Sequence, residues 1–144
     1  MNEVSKTVSG AFAEAVLEEY QAEAKGENLD EVRVTSATGG SKGQKSVRLH
    51  AIPRESLWEL GRVYAFGEEK YDDYNFRKGY QWSLSYDALQ RHLTSFWDGE
   101  DRDGESRLHH MAHAVWHGIC LLFFSLTGRG EDDRPKDSTP SNTA

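Results

Sequence analysis

Apolar residues recur at helical spacing most clearly in the second half of the chain. From Ser83 or Ser85, either of which offers a capping hydroxyl, Leu89, Leu93, Phe96 and Trp97 predict a helix that stops before Gly99. His92 lies three residues after Leu89 and four before Phe96, on or beside the core-facing stripe. A loop with Glu100, Asp101, Asp103 and Glu105 follows, and Ser106 is placed to cap a second helix from about Leu108 to Leu126. Leu108, Met111, Ala112, Val115, Ile119, Leu122 and Phe123 form its apolar face, while His110, His113 and His117 share a stripe about 60° wide. Beyond His117 the helix is apolar all round and must be buried on several sides, yet it falls short of the roughly 20 residues that span a bilayer. Trp116, Phe123 and Phe124 lie around that circumference, which predicts cover by a second copy in a homodimer or homotetramer.

Earlier in the chain the pattern is weaker. Residues 1–8 carry no period and are expected to be disordered. Ser9 then caps a helix bearing Phe12, Ala15, Val16 and Tyr20, which LysGlyGluAsn at 25–28 ends. Val32 and Val34 alternate as in a short extended segment. GlyGlySerLysGlyGlnLys at 39–45 reads as a loop. Pro53 opens a helix with Leu57, Leu60, Val63 and Tyr64, widened by Trp58 and ended by Gly67. An aromatic, aperiodic connector runs from 68 to 82, and after Gly128 the chain is polar and expected to be disordered over 128–144. The implied architecture is all-α: one helical domain over 9–127, with a glycine-rich basic loop and one short extended segment.

Composition narrows the function. A length of 144 residues suits one domain with a real core, and the single cysteine, Cys120, rules out a disulfide framework or a four-cysteine zinc site within the chain. That usage fits a reducing cytoplasm, and the absence of a charged-then-apolar opening segment gives no sign of secretion. A net charge of −7 argues against a nucleic-acid polymer or an anionic membrane as partner. Between Val32 and Arg54, however, Arg33, Lys42, Lys45, Arg48 and Arg54 stand with no acid among them. A compact basic segment in an acidic chain points to a small anionic ligand.

Five of the six histidines fall between His92 and His117, with carboxylates in the loop between the two helices. Taken singly, each is most simply an ordinary hydrogen-bonded side chain; together they suggest a metal or phosphate site. Imidazole nitrogen with carboxylate oxygen suits manganese, iron, cobalt, nickel or zinc, and carboxylates alone suit magnesium. The glycines at 39–45 free backbone amides to converge on an anion, although no Walker A pattern is present and a flexible connector is the plainer alternative. Tyr71, Tyr74, Phe76, Tyr80 and Trp82 suit a pocket for a planar base, with Lys70, Arg77 and Lys78 toward its phosphates, or else simply cover the helix ends.

Six motifs in order carry a resemblance: residues 39–53, PheGlyGluGluLysTyr at 66–71, AsnPheArgLysGly at 75–79, ArgHisLeu at 91–93, GlyGluAspArgAspGlyGluSer at 99–106 and HisMetAlaHis at 110–113. They resemble the dATP/dGTP diphosphohydrolase family, MazZ-type proteins encoded largely by phages and similar to the all-α MazG-like nucleotide pyrophosphohydrolases. The resemblance implies a MazG-like bundle that cleaves a purine deoxynucleoside triphosphate to the monophosphate and pyrophosphate in the cytoplasm, the host's if phage-encoded, with a divalent metal, magnesium or manganese. On the reading of a metal-dependent hydrolase, His92, Glu100, Asp103, Glu105, His110 and His113 are expected to hold metal, and Glu100, Asp103 and Glu105 to be catalytic, Glu105 accepting the attacking water's proton. Lys42, Lys45, Arg48 and Lys70 meet the triphosphate, Tyr71, Asn75, Lys78 and Arg91 add substrate contacts, and Trp82 or Tyr80 stacks on the base. The sequence departs from the acidic MazG-like pattern, since Glu100 and Asp103 form an ExxD in a loop and HisMetAlaHis stands where a helical ExxD is expected. Histidines also donate to phosphate without metal, so a nucleotide-binding protein that sequesters its ligand without hydrolysis is the alternative. A purely structural helical module explains the helices but not this concentration of chemistry.

Overall fold

The computed structural model of the chain describes residues 14, 15, 17–22, 32–44 and 47–136. The chain divides into two compact units, Met1–Ala51 and Ile52–Ala144, so the expected boundary at 127/128 falls inside the second. The fold is mainly α with one small sheet.

In the first unit, residues 14, 15 and 17–22 are helical and Ala22 is buried; Phe12 and Val16 of the expected helix lie outside the described residues. β1 (Val32–Thr35) and β2 (Ser41–Gln44) pair antiparallel, Val32 opposite Gln44 and Thr35 opposite Ser41. The extended segment is therefore half of a hairpin. The glycine-rich segment is not the open loop anticipated, because residues 41–44 form the second strand. In the turn, Ser36 takes up two glycine amides: Gly39 N–H donates to its carbonyl at 3.0 Å and Gly40 N–H to its hydroxyl at 3.2 Å. Gly39, at φ +85, supplies the left-handed residue that this turn needs. Lys42 sits on β2 opposite Val34, and Gln44, with its amide turned oxygen-first, accepts from the Arg48 guanidinium. Lys45 lies outside the described residues.

The second unit holds α1 (Arg54–Lys70), α2 (Trp82–Trp97) and α3 (His110–Thr127). His92 meets His110 while Ser85, two turns earlier, meets His117, two turns later, so α2 and α3 run antiparallel. α1 joins α3 through ring contacts of Tyr64 with Trp116 and Phe66 with His113. It runs one turn past Gly67, since a glycine inside a helix costs only about 1 kcal/mol. Its first half gains no such cover: Leu57 is exposed and Trp58 is 66% exposed, so Trp58 widens no buried face.

The core is Trp82, Cys120 and Phe124, with Phe76, Tyr80, Trp116, Leu121 and Phe123 packed against it. Phe76 and Tyr80 come from the aromatic connector, so the all-round apolar end of α3 finds much of its cover within one chain. Val115, Leu122 and Leu126 are its exposed apolar residues.

Neither expected serine caps α2. The helix starts at Trp82, and Ser83 instead donates its amide, at 2.9 Å, and its hydroxyl to the Asp133 carboxylate. α3 likewise starts at His110, capped by His109, whose Nδ1 accepts from Met111 N–H at 3.1 Å.

Asp133 belongs to the polar segment after α3, which was expected to lack structure from Gly128 onward. Its described part, to Lys136, returns as a strap across the start of α2. Glu131 N–H donates to Tyr80 O at 3.1 Å, Trp82 N–H to Glu131 O at 3.0 Å, and Trp82 Nε1 to Arg129 O at 3.0 Å. The Arg134 guanidinium lies 4.7 Å over the Trp82 ring. The strap docks by backbone bonds rather than apolar burial, and it needs two glycines. Gly130 has φ +73, and a Cβ there would stand 2.3 Å from Tyr80 O; a Cβ on Gly79 would stand 2.3 Å from Gly130 N. Residues 1–8 and 137–144, the outer parts of the expected disordered ends, lie outside the described residues. No described helix is long and apolar enough to cross a membrane.

Candidate metal and nucleotide site

Where α2 and α3 face each other near their connecting loop, His92, Asp103 and His110 each offer a donor atom, all within 4.8 Å of one another. His92 Nδ1 and His110 Nδ1 are 2.8 Å apart. Two ring nitrogens so close either share a proton or face one cation, whose bonds of about 2.1 Å at right angles set ligand nitrogens about 3 Å apart. His110 is buried, and its Nε2 is a buried nitrogen with no hydrogen-bond partner. The nearest acid, Glu100, is 3.6 Å from it.

The loop that brings Asp103 here is held by its own backbone. Asp103 N–H donates to Leu108 O, Arg107 N–H to Asp103 O and His110 N–H to Asp101 O, each at 2.9 Å. Arg107 turns through φ +64 to close it. Ser106 donates to Asp103 Oδ2 from its amide at 2.8 Å and its hydroxyl at 2.9 Å, and the same hydroxyl lies 2.7 Å from His113 Nε2. Burial pushes the Asp103 carboxyl upward, but the Ser106 bonds and the facing histidines outweigh it and hold it below the usual carboxylate range.

Behind this cluster the imidazoles stack. His113 lies nearly parallel to His92, with ring centroids 4.5 Å apart, and His117 at 5.9 Å. Burial, reinforced by the neighbouring rings, pushes His92 and His117 down to about 4, and burial lowers His113 as well. All three are neutral at pH 7. His117 Nδ1 is 3.2 Å from the buried Ser85 hydroxyl, which in turn is 2.7 Å from Tyr80 OH.

A cleft of about 620 Å³ opens beside the cluster. Of the substrate contacts anticipated from sequence, Lys70, Tyr71, Asn75, Tyr80 and Arg91 line it, alongside His92, Asp103 and His113. The other anticipated residues fall elsewhere. Lys78 pairs with Asp72 at 3.4 Å, off the cleft wall. Trp82 cannot stack on a base, because it is buried in the core with one face under Arg134 and its N–H bonded to Arg129. Glu100 is off the cleft wall with an exposed side chain, 3.6 Å from His110 Nε2, and Glu105, also exposed, lines the cleft and holds Lys70 at 2.7 Å. His113 stands behind His92, outside the close triad. Lys42 and Arg48 belong to the first unit.

Sequence reasoning missed the bridging role of Ser106, for which the signal was its position three residues after Asp103, the spacing of an aspartate-centred turn. It also passed over Ser85 as a partner of His117, a contact that no local pattern announces.

Fold and site together define a mainly helical protein in which two antiparallel helices and their connecting loop gather histidines and an aspartate close together beside an aromatic cleft that carries Lys70 and Arg91. The chain belongs to the dATP/dGTP diphosphohydrolase family, whose N-terminal region matches residues 36–134. It is also 34% identical over 96 residues to a dATP/dGTP diphosphohydrolase of Salmonella phage PMBT28, a match covering 67% of this chain and 32% of that protein. The chain thus spans about a third of the length of that curated relative. No solved structure matches. The family match ends at Arg134 and so takes in the strap.

Proposed function

We propose that the chain carries out metal-dependent hydrolysis of a purine deoxynucleoside triphosphate, dGTP or dATP, to the monophosphate and pyrophosphate. One observation carries the reading: donor atoms of His92, Asp103 and His110 lie within 4.8 Å of one another on the edge of a cleft that also holds Lys70 and Arg91. The choice of substrate rests on the family and on the name of the phage relative.

The residues fit a divalent ion; two imidazoles with one carboxylate suit manganese, and magnesium is the other ion that the family resemblance implies. Asp103 is ionised, His92 is neutral, and His110 Nε2 is a buried nitrogen without a partner. A bound ion supplies stabilisation of phosphate charge and a more acidic water. Lys70 and Arg91 meet negative charge as it moves toward the leaving pyrophosphate. Glu105, on the cleft wall and held by Lys70, accepts the proton of the attacking water. Glu100, 3.6 Å from His110 Nε2, completes the carboxylate set, and Tyr71 or Tyr80 stacks on the base. The setting is the cytoplasm of a phage-infected host, and the assembly is a homodimer or homotetramer that covers Val115, Leu122 and Leu126.

The test is to incubate the chain with dGTP or dATP and magnesium or manganese and to separate the products. Monophosphate and pyrophosphate are expected, and Asp103→Asn is expected to slow their formation at least 100-fold, about 2.7 kcal/mol, with its melting temperature little changed. No product from the wild-type chain, or full activity in Asp103→Asn, refutes the reading. Sequestration without hydrolysis is the second reading. It is favoured by one observation: among the described residues Asp103 is the sole carboxylate of the close triad, Glu100 and Glu105 having exposed side chains. Tight binding with no product decides for it.

A further inference from the structure

The hydrogen bonds around Ser106 admit one arrangement of protons. A hydroxyl has one hydrogen to donate and two lone pairs to accept with. Three polar groups surround Ser106 Oγ: Asp103 Oδ2 at 2.9 Å, His113 Nε2 at 2.7 Å and Leu108 N–H at 3.2 Å. An ionised carboxylate only accepts, so the single hydroxyl hydrogen goes to Asp103. Leu108 N–H only donates, so it takes one lone pair. The other lone pair is left for His113, which must donate from Nε2. His113 is therefore the Nε2–H tautomer, and its Nδ1 carries the lone pair.

Both Ser106 bonds to Asp103, amide and hydroxyl, fall on Oδ2. That side of the carboxylate is fixed and engaged, and Oδ1 is the oxygen left to turn toward His92 and His110. His113, oriented by its bond to Ser106, presents a parallel ring to His92 at 4.5 Å. One hydroxyl thus reaches two of the three members of the triad, Asp103 directly and His92 through the face of His113.

We infer that Ser106 is a positioning residue of the cation site: its hydroxyl holds Asp103 and locks the His113 tautomer, so that Asp103 Oδ1 and the His92 ring present preset ligands. This rests on the metal-dependent reading above. Groups that orient metal ligands from behind typically change metal affinity 10- to 100-fold when removed.

The experiment has two arms, neither of which measures turnover. Nitrogen-15 NMR of the histidine rings reads the tautomer directly in the full chain at neutral pH without metal. Expected is a protonated Nε2 and an unprotonated Nδ1 for His113 in the wild type, a mixture of tautomers in Ser106→Ala, and the wild-type pattern in Ser106→Thr, which keeps the hydroxyl. Manganese titration followed by electron paramagnetic resonance reads affinity, expected to fall about 10- to 100-fold in Ser106→Ala and to survive in Ser106→Thr. An Nδ1–H tautomer in the wild type, or Ser106→Ala binding manganese as tightly as the wild type, overturns the inference while leaving the metal-dependent reading standing. A wild-type chain that binds neither manganese nor magnesium overturns both. Should Ser106→Ala fail to fold, the wild-type tautomer and the Ser106→Thr affinity still decide.

Discussion

Gly130→Ala is the substitution most informative about how the chain closes on itself. Gly130 and Gly128 both have positive φ, +73 and +67, and lie two residues apart. An alanine at either meets the same backbone penalty, about 1 to 2 kcal/mol for a Cβ in left-handed conformation. They differ in surroundings. A Cβ on Gly128 meets nothing within 4 Å, whereas one on Gly130 falls 2.3 Å from Tyr80 O and 3.1 Å from Tyr80 N. Backbone cannot yield as a flexible side chain can, so the strap must lift. Lifting it threatens the Glu131–Tyr80, Trp82–Glu131, Trp82–Arg129 and Ser83–Asp133 bonds. At a net value of about 1 kcal/mol each, offset by the freedom the strap regains, the extra loss is about 1 to 3 kcal/mol. Gly128→Ala should therefore cost about 1 to 2 kcal/mol and Gly130→Ala about 2 to 5. For a unit of this size that difference is several degrees or more in melting temperature. Thermal and urea melts of the two variants side by side supply the measurement. Equal losses would refute the close crossing at Gly130 and with it the docked strap.

Other predictions concern charge. Burial lowers the His117 pKa from 6.5 to about 4, so the unfolded chain binds a proton that the folded one refuses between those values. The stability it contributes is complete above about pH 6.5 and is lost as the pH falls toward 4. Urea midpoints of metal-free protein from pH 7.5 to 4.5 should fall less steeply in His117→Gln than in the wild type, and identical slopes would count against a buried neutral imidazole. Lys45→Ala and Arg48→Ala should weaken triphosphate binding more than monophosphate binding, because lost charge matters most where ligand charge is greatest. Calorimetric titration with both nucleotides checks this, and equal losses would count against a phosphate-binding role for these residues.

The helical pair was legible because Leu89, Leu93 and Phe96 on one helix and Met111, Ala112, Ile119 and Phe123 on the next keep the period that burial imposes, although Val115 and Leu122, expected on the same face, are exposed. Given two antiparallel helices and a short loop, the meeting of His92 with His110 near that loop follows from geometry. What escaped was long-range. The acceptor for the first turn of α2 is Asp133, 50 residues from Ser83, and no local pattern announces a cap from so far away. Trp82 sits in an aromatic, polar connector that resembles a binding loop, yet its neighbours in space are Cys120 and Phe124. The strap is polar because its backbone does the docking, so the usual apolar sign of packing is missing and only Gly79 and Gly130 mark it. Ser106 offered a plausible cap, but the Asp103 carboxylate three residues back is the stronger attraction for its amide and hydroxyl.

The histidine stack bears on competition between protons and cations. Histidine sites ordinarily lose their ions in mildly acidic solution, because a proton takes the lone pair that the ion needs. Here each ring discourages charge on its neighbours, and burial discourages it on all of them, so His92 remains free of a proton until about pH 4. A cation arriving at neutral pH meets a neutral imidazole there and not an imidazolium. Its hold on His92 should then vary little with acidity across the range in which an exposed histidine would release it.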